Sequence, residues 1–187
     1  NTAKHNDGLP DTYDAKALEA FRTGADPLNF ANTDWRKLVL NNWAPQQKHA
    51  IRVFGGNETN RYYVSLGHID QNSLYKNDNH WMKRTTFRLA QSTNLKPLGL
   101  QINATIDGYR EHTTHPYTSS AEGYYQVFSH INDKMPNIPG YNQFGLPYQT
   151  NDNPVSETAE DAGYNRTISN VINGKGEIIW TVHWVKG

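Results

Sequence analysis

The fold of this 187-residue chain is decided by residues 98–110, which read LGLQINATIDGYR. Aliphatic side chains occupy every second position, at Leu98, Leu100, Ile102, Ala104 and Ile106. Polar side chains fill the positions between them from Gln101 onward, at Gln101, Asn103, Thr105 and Asp107. Because successive side chains of a β-strand point to opposite faces, this alternation predicts a strand with one apolar face and one polar face.

Four further segments show the same alternation, at residues 48–55, 61–70, 82–93 and 166–183. Short turn signals follow the first and third strands, whereas the second strand is followed by a polar loop and the fourth by a long connection over residues 111–164. That connection carries one helix-like stretch at 121–134. The pair Gly174 and Gly176 predicts either a hairpin turn or a bulge within one long last strand. Residues 1–45 are expected to be a polar loop with one short helix, with Asp14 as N-cap and Gly24 after its end.

The composition excludes several classes of protein. Eighteen basic and eighteen acidic residues leave no net charge, so the chain lacks the basic surplus of a nucleic-acid-binding protein. The absence of cysteine excludes disulfides, thiol nucleophiles and thiolate metal sites. Hydrophobic residues make up only 36% and the mean hydropathy is −0.82, yet 12% of the residues are aromatic. No apolar run is long enough for a membrane-spanning helix, although membrane-spanning strands leave a much weaker signal.

Tight connections at one end of a sheet and long ones at the other are typical of outer-membrane β-barrels. In a barrel, the polar faces line a water-filled lumen; the residues predicted there are Arg61, Tyr63, Arg84, Arg88, Gln101, Asn103 and Asp107. The opposite faces meet lipid; those residues are Tyr62, Val64, Leu66, Leu100, Ile102, Ile106 and Trp180. An antiparallel sheet with one solvated face produces the same alternation. A soluble carbohydrate-binding β-sandwich module is therefore the alternative.

Several sequence blocks resemble the SusC-like (SusC/RagA) family of TonB-dependent transporters. The two longest are residues 43–49, WAPQQKH, and residues 55–67, GGNETNRYYVSLG. Shorter matches follow in order, at Asp70-Gln71, residues 74–76, Lys83-Arg84, Phe87-Arg88, residues 94–96, residues 128–131, residues 152–155 and residues 184–187.

The resemblance implies an early part of a 22-stranded transmembrane β-barrel in the bacterial outer membrane. Residues 1–45 would then form an extracellular loop with a short helix. Residues 46–187 would form a barrel segment of about five strands, with a long extracellular loop at 111–164. The family architecture also implies that the chain is a fragment of a longer protein whose plug domain and remaining strands lie elsewhere.

The function that the resemblance implies is import of large nutrients, an oligosaccharide or glycan or a peptide. The implied partners are the rest of the transporter, a SusD-like surface lipoprotein, the outer-membrane lipid and, through parts absent from this sequence, the TonB complex. No enzymatic activity is expected, because the sequence has no G-x-S-x-G elbow, H-E-x-x-H or P-loop motif.

Aromatic and amide side chains in the loops are the candidates for ligand binding, since rings stack on sugar C–H faces and amides bond to hydroxyls. These candidates are Tyr117, Tyr124, Tyr125, Tyr141, Tyr148, Asn142 and Asp152. Packing of these side chains within the loop or against the partner lipoprotein is the alternative. No cofactor is expected. Calcium near Asn151, Asp152 and Asn153 is a weaker alternative to an ordinary Asx-rich turn.

Overall fold

The structure is a computed structural model that describes residues 1–77, 79–117, 125–148 and 152–182. It is mostly β, with one five-stranded antiparallel sheet within these ranges, as the sequence predicts. The strands are β1 (Gln46–Gly56), β2 (Asn60–Asn72), β3 (Trp81–Leu95), β4 (Leu100–Pro116) and β5 (Tyr164–Trp180). They lie side by side in sequence order, so that β1 and β5 form the two edges.

Two strands differ in extent from the sequence pattern. β4 continues to Pro116, past Arg110, where the alternation of apolar and polar residues ends. Backbone pairing with β3 explains the extension, because Thr114 lies opposite Trp81 and the ladder continues whatever the side chains are. β5 runs without interruption through Gly174 and Gly176, which therefore form no hairpin turn.

The tight connections are stabilised by local hydrogen bonds and glycines. Between β1 and β2 the side-chain oxygen of Asn57 accepts hydrogen bonds from the backbone N–H groups of Thr59 and Asn60, at 2.9 and 2.8 Å. A one-turn 3₁₀ helix, Lys96–Leu98, joins β3 to β4, and Gly99 follows it with φ of 61°. Glycine adopts this left-handed conformation without a steric cost, because it has no β-carbon.

The described residues form five short α-helices, where the sequence predicts two. They are α1 (Thr2–Asn6), α2 (Ala15–Thr23), α3 (Trp35–Val39), α4 (Tyr125–Asp133) and α5 (Pro154–Glu157). In α2 the Asp14 carboxylate accepts a hydrogen bond from the Ala17 N–H at 2.7 Å, and Gly24 caps the other end with φ of 64°. Both termini of this helix are as predicted.

The chain divides into two compact units. The sheet unit comprises Trp43–Ser73, His80–His115 and Asn165–Gly187, and contains nearly all of the five strands. The loop unit comprises Asn1–Asn42, Leu74–Asn79 and Pro116–Tyr164, and contains the helices α1 to α5.

The buried apolar cluster lies in the loop unit. Its members come from four separate stretches of sequence: Trp35, Val39, Tyr75, Val127, Ile131 and Val155. Hydrogen bonds between distant segments hold it together. The Trp35 indole N–H donates to the Met135 carbonyl at 3.1 Å, and the Thr33 hydroxyl donates to the Ile138 carbonyl at 2.7 Å. Residues 1–45, which carry too few apolar residues for a core of their own, therefore contribute to a shared one.

Ile131 provides a test of this core. Replacing it with alanine removes a side chain that is 3% exposed, and we expect a loss of about 2–5 kcal/mol in the stability of the loop unit. Phe128 lies on the same helix but is 51% exposed, so Phe128→Ala is the matched control, with an expected change within about 0.5 kcal/mol. Hydrogen exchange of the α4 amides in the full chain measures both effects. Equal protection in the two variants would contradict the assignment.

Candidate functional site

The sheet has two chemically different faces. Three cross-strand pairs given by the register share one face of the sheet. They are Arg61 with Ser92, Tyr63 with Ala90, and Arg88 with Asp107. The same register places the whole set predicted to line a lumen on that face: Arg61, Tyr63, Arg84, Arg88, Gln101, Asn103 and Asp107. The structure therefore brings these seven side chains to one surface.

Hydrogen bonds run across the strands on this polar face. Asn103 accepts from the Ser92 hydroxyl at 2.8 Å and from the Gln101 amide at 3.2 Å, and its own amide donates to Glu177 at 2.9 Å. Asp107 accepts from the Asn173 amide at 3.2 Å. The face is thus a polar surface whose side chains form hydrogen bonds between strands, and we call it the polar wall. Its side chains do not converge on one point.

An ion pair joins Arg84 to Glu111 on this wall. The Arg84 Nε–H donates to the Glu111 carboxylate at 2.6 Å, and the guanidinium carbon lies 4.9 Å from the centre of the Tyr109 ring. Sequence reasoning missed Glu111. The alternation that identifies Arg84 and Asp107 extends to Glu111 only once β4 is known to continue beyond Arg110.

The opposite face is apolar and exposed. Of the side chains predicted to meet lipid, all but the half-buried Leu100 are more than a third exposed: Tyr62, Val64, Leu66, Ile102, Ile106 and Trp180. Ile51, Val53 and Leu89 share this face and are also exposed, at 64%, 53% and 48%. In the part of the chain that the structure describes, no second sheet lies against these aliphatic side chains.

One cross-strand pair on the apolar face depends on a glycine. Phe87 lies opposite Gly108, and a β-carbon at Gly108 would lie 3.0 Å from the Phe87 ring and would clash with the Val171 carbonyl. The ring therefore covers a position where no other residue fits. Sequence alternation alone gives no sign of this pairing, because it depends on the register.

The loop candidates for ligand binding do not form one cluster. Tyr141 and Asn142 line a groove of about 690 Å³ in the loop unit, together with residues that include Asp34, Lys37 and Lys76. Tyr117, Tyr125 and Tyr148 do not line this groove, although they are 56%, 70% and 41% exposed. Tyr124 lies outside the described residues.

The side chains of Asn142 and Asn153 mainly form hydrogen bonds with backbone groups. The Asn142 side-chain oxygen accepts from the N–H groups of Phe144 and Leu146, at 2.9 and 3.1 Å, and so closes a turn. Asn153 is fully buried, and its amide donates to the Tyr148 carbonyl at 2.6 Å while its oxygen caps α5. The Asn153 carboxamide is therefore committed to the fold and offers no surface oxygen to calcium. Asn151 lies outside the described residues.

Asp152 lies beside a histidine that sequence reasoning did not select. The His130 Nδ1 is 3.0 Å from both carboxylate oxygens of Glu157, and its Nε2 is 3.7 Å from Asp152. One donor atom from each residue could face a metal ion, since the three atoms lie within 4.8 Å of one another. A hydrogen bond from the imidazole to Glu157 already accounts for the shorter contact, and it links α4 to α5.

Tyr75 shows how the core affects a titratable group. Burial, and then the negative charge of Glu157, raise the pKa of the Tyr75 hydroxyl from 10.0 to about 12. In the unfolded chain the hydroxyl ionises near pH 10, before it does so in the folded chain. Its contribution to stability is therefore complete below pH 10 and is lost as the pH rises toward 12.

We expect Tyr75→Phe to reduce the alkaline loss of stability between about pH 10 and pH 12, because phenylalanine cannot ionise. Tyr117→Phe removes a hydroxyl from a side chain that is 56% exposed, and this control should keep the wild-type pH dependence. Urea unfolding midpoints of the full chain, measured between pH 8 and pH 12, report the difference. If the Tyr75 variant followed the wild-type curve, the buried hydroxyl would not be the titrating group.

Comparison with known proteins adds no assignment, since neither a family model nor a curated protein matches the chain. Among the described residues, no helix has both the length and the apolarity needed to cross a lipid bilayer.

Proposed function

We propose that this chain forms part of the barrel wall of a SusC-like, TonB-dependent transporter in the bacterial outer membrane, importing large nutrients. The observation that carries the proposal is the exposed aliphatic face of the sheet, backed by a hydrogen-bonded polar face. A sandwich buries its aliphatic face against a second sheet, whereas a membrane barrel turns it toward lipid.

The height of the apolar face supports the same proposal. On β4 the apolar positions run from Leu100 to Gly108, which corresponds to about 27 Å along a strand. Barrel strands are tilted by about 40°, so this length spans about 21 Å of membrane, close to the usual apolar band of about 25 Å. Arg110 is the next residue on this face, and it marks the end of the band.

The polar wall suits the passage of a hydrated solute. Arg61 and Arg88 are exposed and Asp107 is half-buried. Their charges would be costly in a closed core but are well solvated along an aqueous lumen. Amide groups such as that of Gln101 offer hydrogen bonds to sugar hydroxyls or peptide groups. The cargo is accordingly a glycan or peptide that passes through the lumen, making many weak contacts with the polar wall.

The loop unit is assigned to the extracellular side, where the transporter meets a SusD-like lipoprotein. Its groove is lined by Tyr141 and Asn142. The Asn142 oxygen is engaged in the turn, so the aromatic ring and the amide N–H groups are the parts that suit an oligosaccharide. Transport also requires the plug, the remaining strands and the TonB complex, all supplied by other parts of the assembly.

Adjacent positions on β4 test the proposal, because the natural sequence contains no cysteine and single cysteines can be introduced. Ile102→Cys should react with a charged thiosulfonate about tenfold more slowly than a cysteine in water, since water and the reactive thiolate are both absent from the bilayer core. A membrane-soluble carbene reagent, which needs no thiolate, should label this position instead. Asn103→Cys, one residue away, should show the opposite preference. The labelling is measured by mass spectrometry in membranes of the organism that makes the protein.

Fast labelling of both cysteines by the charged reagent would contradict the proposal and indicate a soluble sheet with two wet faces. Protection of Ile102→Cys from both reagents would indicate a second sheet over the aliphatic face. That outcome would favour the carbohydrate-binding β-sandwich.

A further inference from the structure

The apolar face of the sheet ends in a row of charged and amphipathic side chains at the end opposite the tight turns. Thr85 lies opposite Arg110, and Lys83 lies between Asp70 on one neighbouring strand and His112 on the other. By alternation, Lys83 and Arg110 belong to the same face as Leu89 and Ile106. These two cations therefore stand directly beyond the aliphatic band, on its own surface and not on the polar wall.

Lys83 and Arg110 are close enough to act on one ligand group. They are diagonal neighbours on β3 and β4, a relation that places such residues about 7–8 Å apart, within reach of two long side chains. Both are exposed. Within the described ranges Arg110 forms no ion pair, while Lys83 lies 3.4 Å from the Asp70 carboxylate and 5.4 Å from the centre of the Trp81 ring.

Trp81 marks the level of this row. Its indole packs edge-on against the His112 ring, with the ring centres 4.9 Å apart. Aromatic side chains at the boundary of an apolar band are typical of the interface between lipid tails and headgroups. A cation pair at this level meets the headgroup of a lipid whose acyl chains lie along the band.

We infer that Lys83 and Arg110 bind the phosphate of a phosphorylated glycolipid in the outer leaflet of the membrane. This inference rests on the proposed function. An arginine binds phosphate through two parallel N–H···O bonds and a lysine adds a point charge, so the pair suits one phosphate group. The acyl chains of the same lipid cover Leu89 and Ile106, which explains why the cations adjoin an aliphatic surface. Asp70 draws Lys83 away from the phosphate and so sets a moderate affinity.

The test measures binding of diphosphoryl lipid A, and of the same lipid without phosphates, to the protein purified from its own membranes in mild detergent. We expect the wild type to prefer the phosphorylated lipid. The double variant Lys83→Ala/Arg110→Ala should weaken that binding about twenty-five-fold, at about fivefold for each cation removed near a membrane surface. Asp70→Asn should strengthen it. Native mass spectrometry counts the bound lipids directly.

A matched control removes two cations elsewhere in the sheet unit. Arg52 lies on the polar face opposite Ser65, and Lys96 lies in the tight turn between β3 and β4. Arg52→Ala/Lys96→Ala should therefore bind diphosphoryl lipid A like the wild type. Lys83→Arg/Arg110→Lys keeps both charges and should retain most of the affinity, which separates charge loss from damage to the fold.

Two failures are distinguishable. If the cysteines at positions 102 and 103 label as a membrane wall but the two forms of lipid A bind equally, the phosphate site is wrong and the proposed function stands. If the cysteine at position 102 does not face lipid, the proposed function and this inference both fall. If both double alanine variants lost the same affinity for diphosphoryl lipid A, the overall charge of the protein would explain the loss. That result would overturn the assignment of the site to Lys83 and Arg110.

Discussion

The register between β3 and β4 is the constraint on which the rest of the sheet depends. Arg88 lies opposite Asp107 and Leu89 lies opposite Ile106, so neighbouring residues on each strand find partners of their own kind on the other. A slip by one residue would place Arg88 opposite Ile106 or Gly108 and turn the apolar set onto the polar face. The shifted register would therefore mix charged and aliphatic side chains on both faces of the sheet.

Backbone ladders and polar contacts between strands, more than apolar burial, hold the sheet unit together. Asn103 connects side chains from three strands, and the Arg84–Glu111 pair joins β3 to β4 at the far end of the same face. The loop unit follows the usual arrangement, with Val127 and Ile131 buried beneath polar loops. One chain thus contains two kinds of stabilisation, and within the described residues only the loop unit has a conventional buried core.

Local patterns explain why the strands were predictable. A period of two is visible within a dozen residues, so the order of residues alone is enough to infer the five strands and to sort Arg61, Asn103 and Ile106 between two faces. Tertiary packing explains why the core was not predictable. Trp35, Tyr75 and Val155 lie in separate segments, and no local period links them.

The candidate site was predictable only in part, for a related reason. Asn153 lies in a stretch rich in asparagine, and the sequence does not distinguish it from its exposed neighbours. Its amide donates hydrogen bonds to the carbonyls of Gly140 and Tyr148, and only the folded chain brings these groups together. The loop tyrosines are similar in type, but their positions depend on which segments pack together. Residue type therefore identified suitable chemistry without showing which side chains meet in the groove.

The two edges of the sheet have a consequence for how such a chain reaches its destination. β1 and β5 each present a row of backbone N–H and C=O groups that have no further strand beside them in the described part of the chain. Open edges of this kind pair with strands of other molecules, and the aliphatic face next to them promotes self-association in water. Under the proposed function, the chain is most prone to aggregate between its synthesis and its insertion into the membrane. A holding chaperone that shields the edges, or insertion faster than self-association, is then as necessary to the protein as its final surroundings.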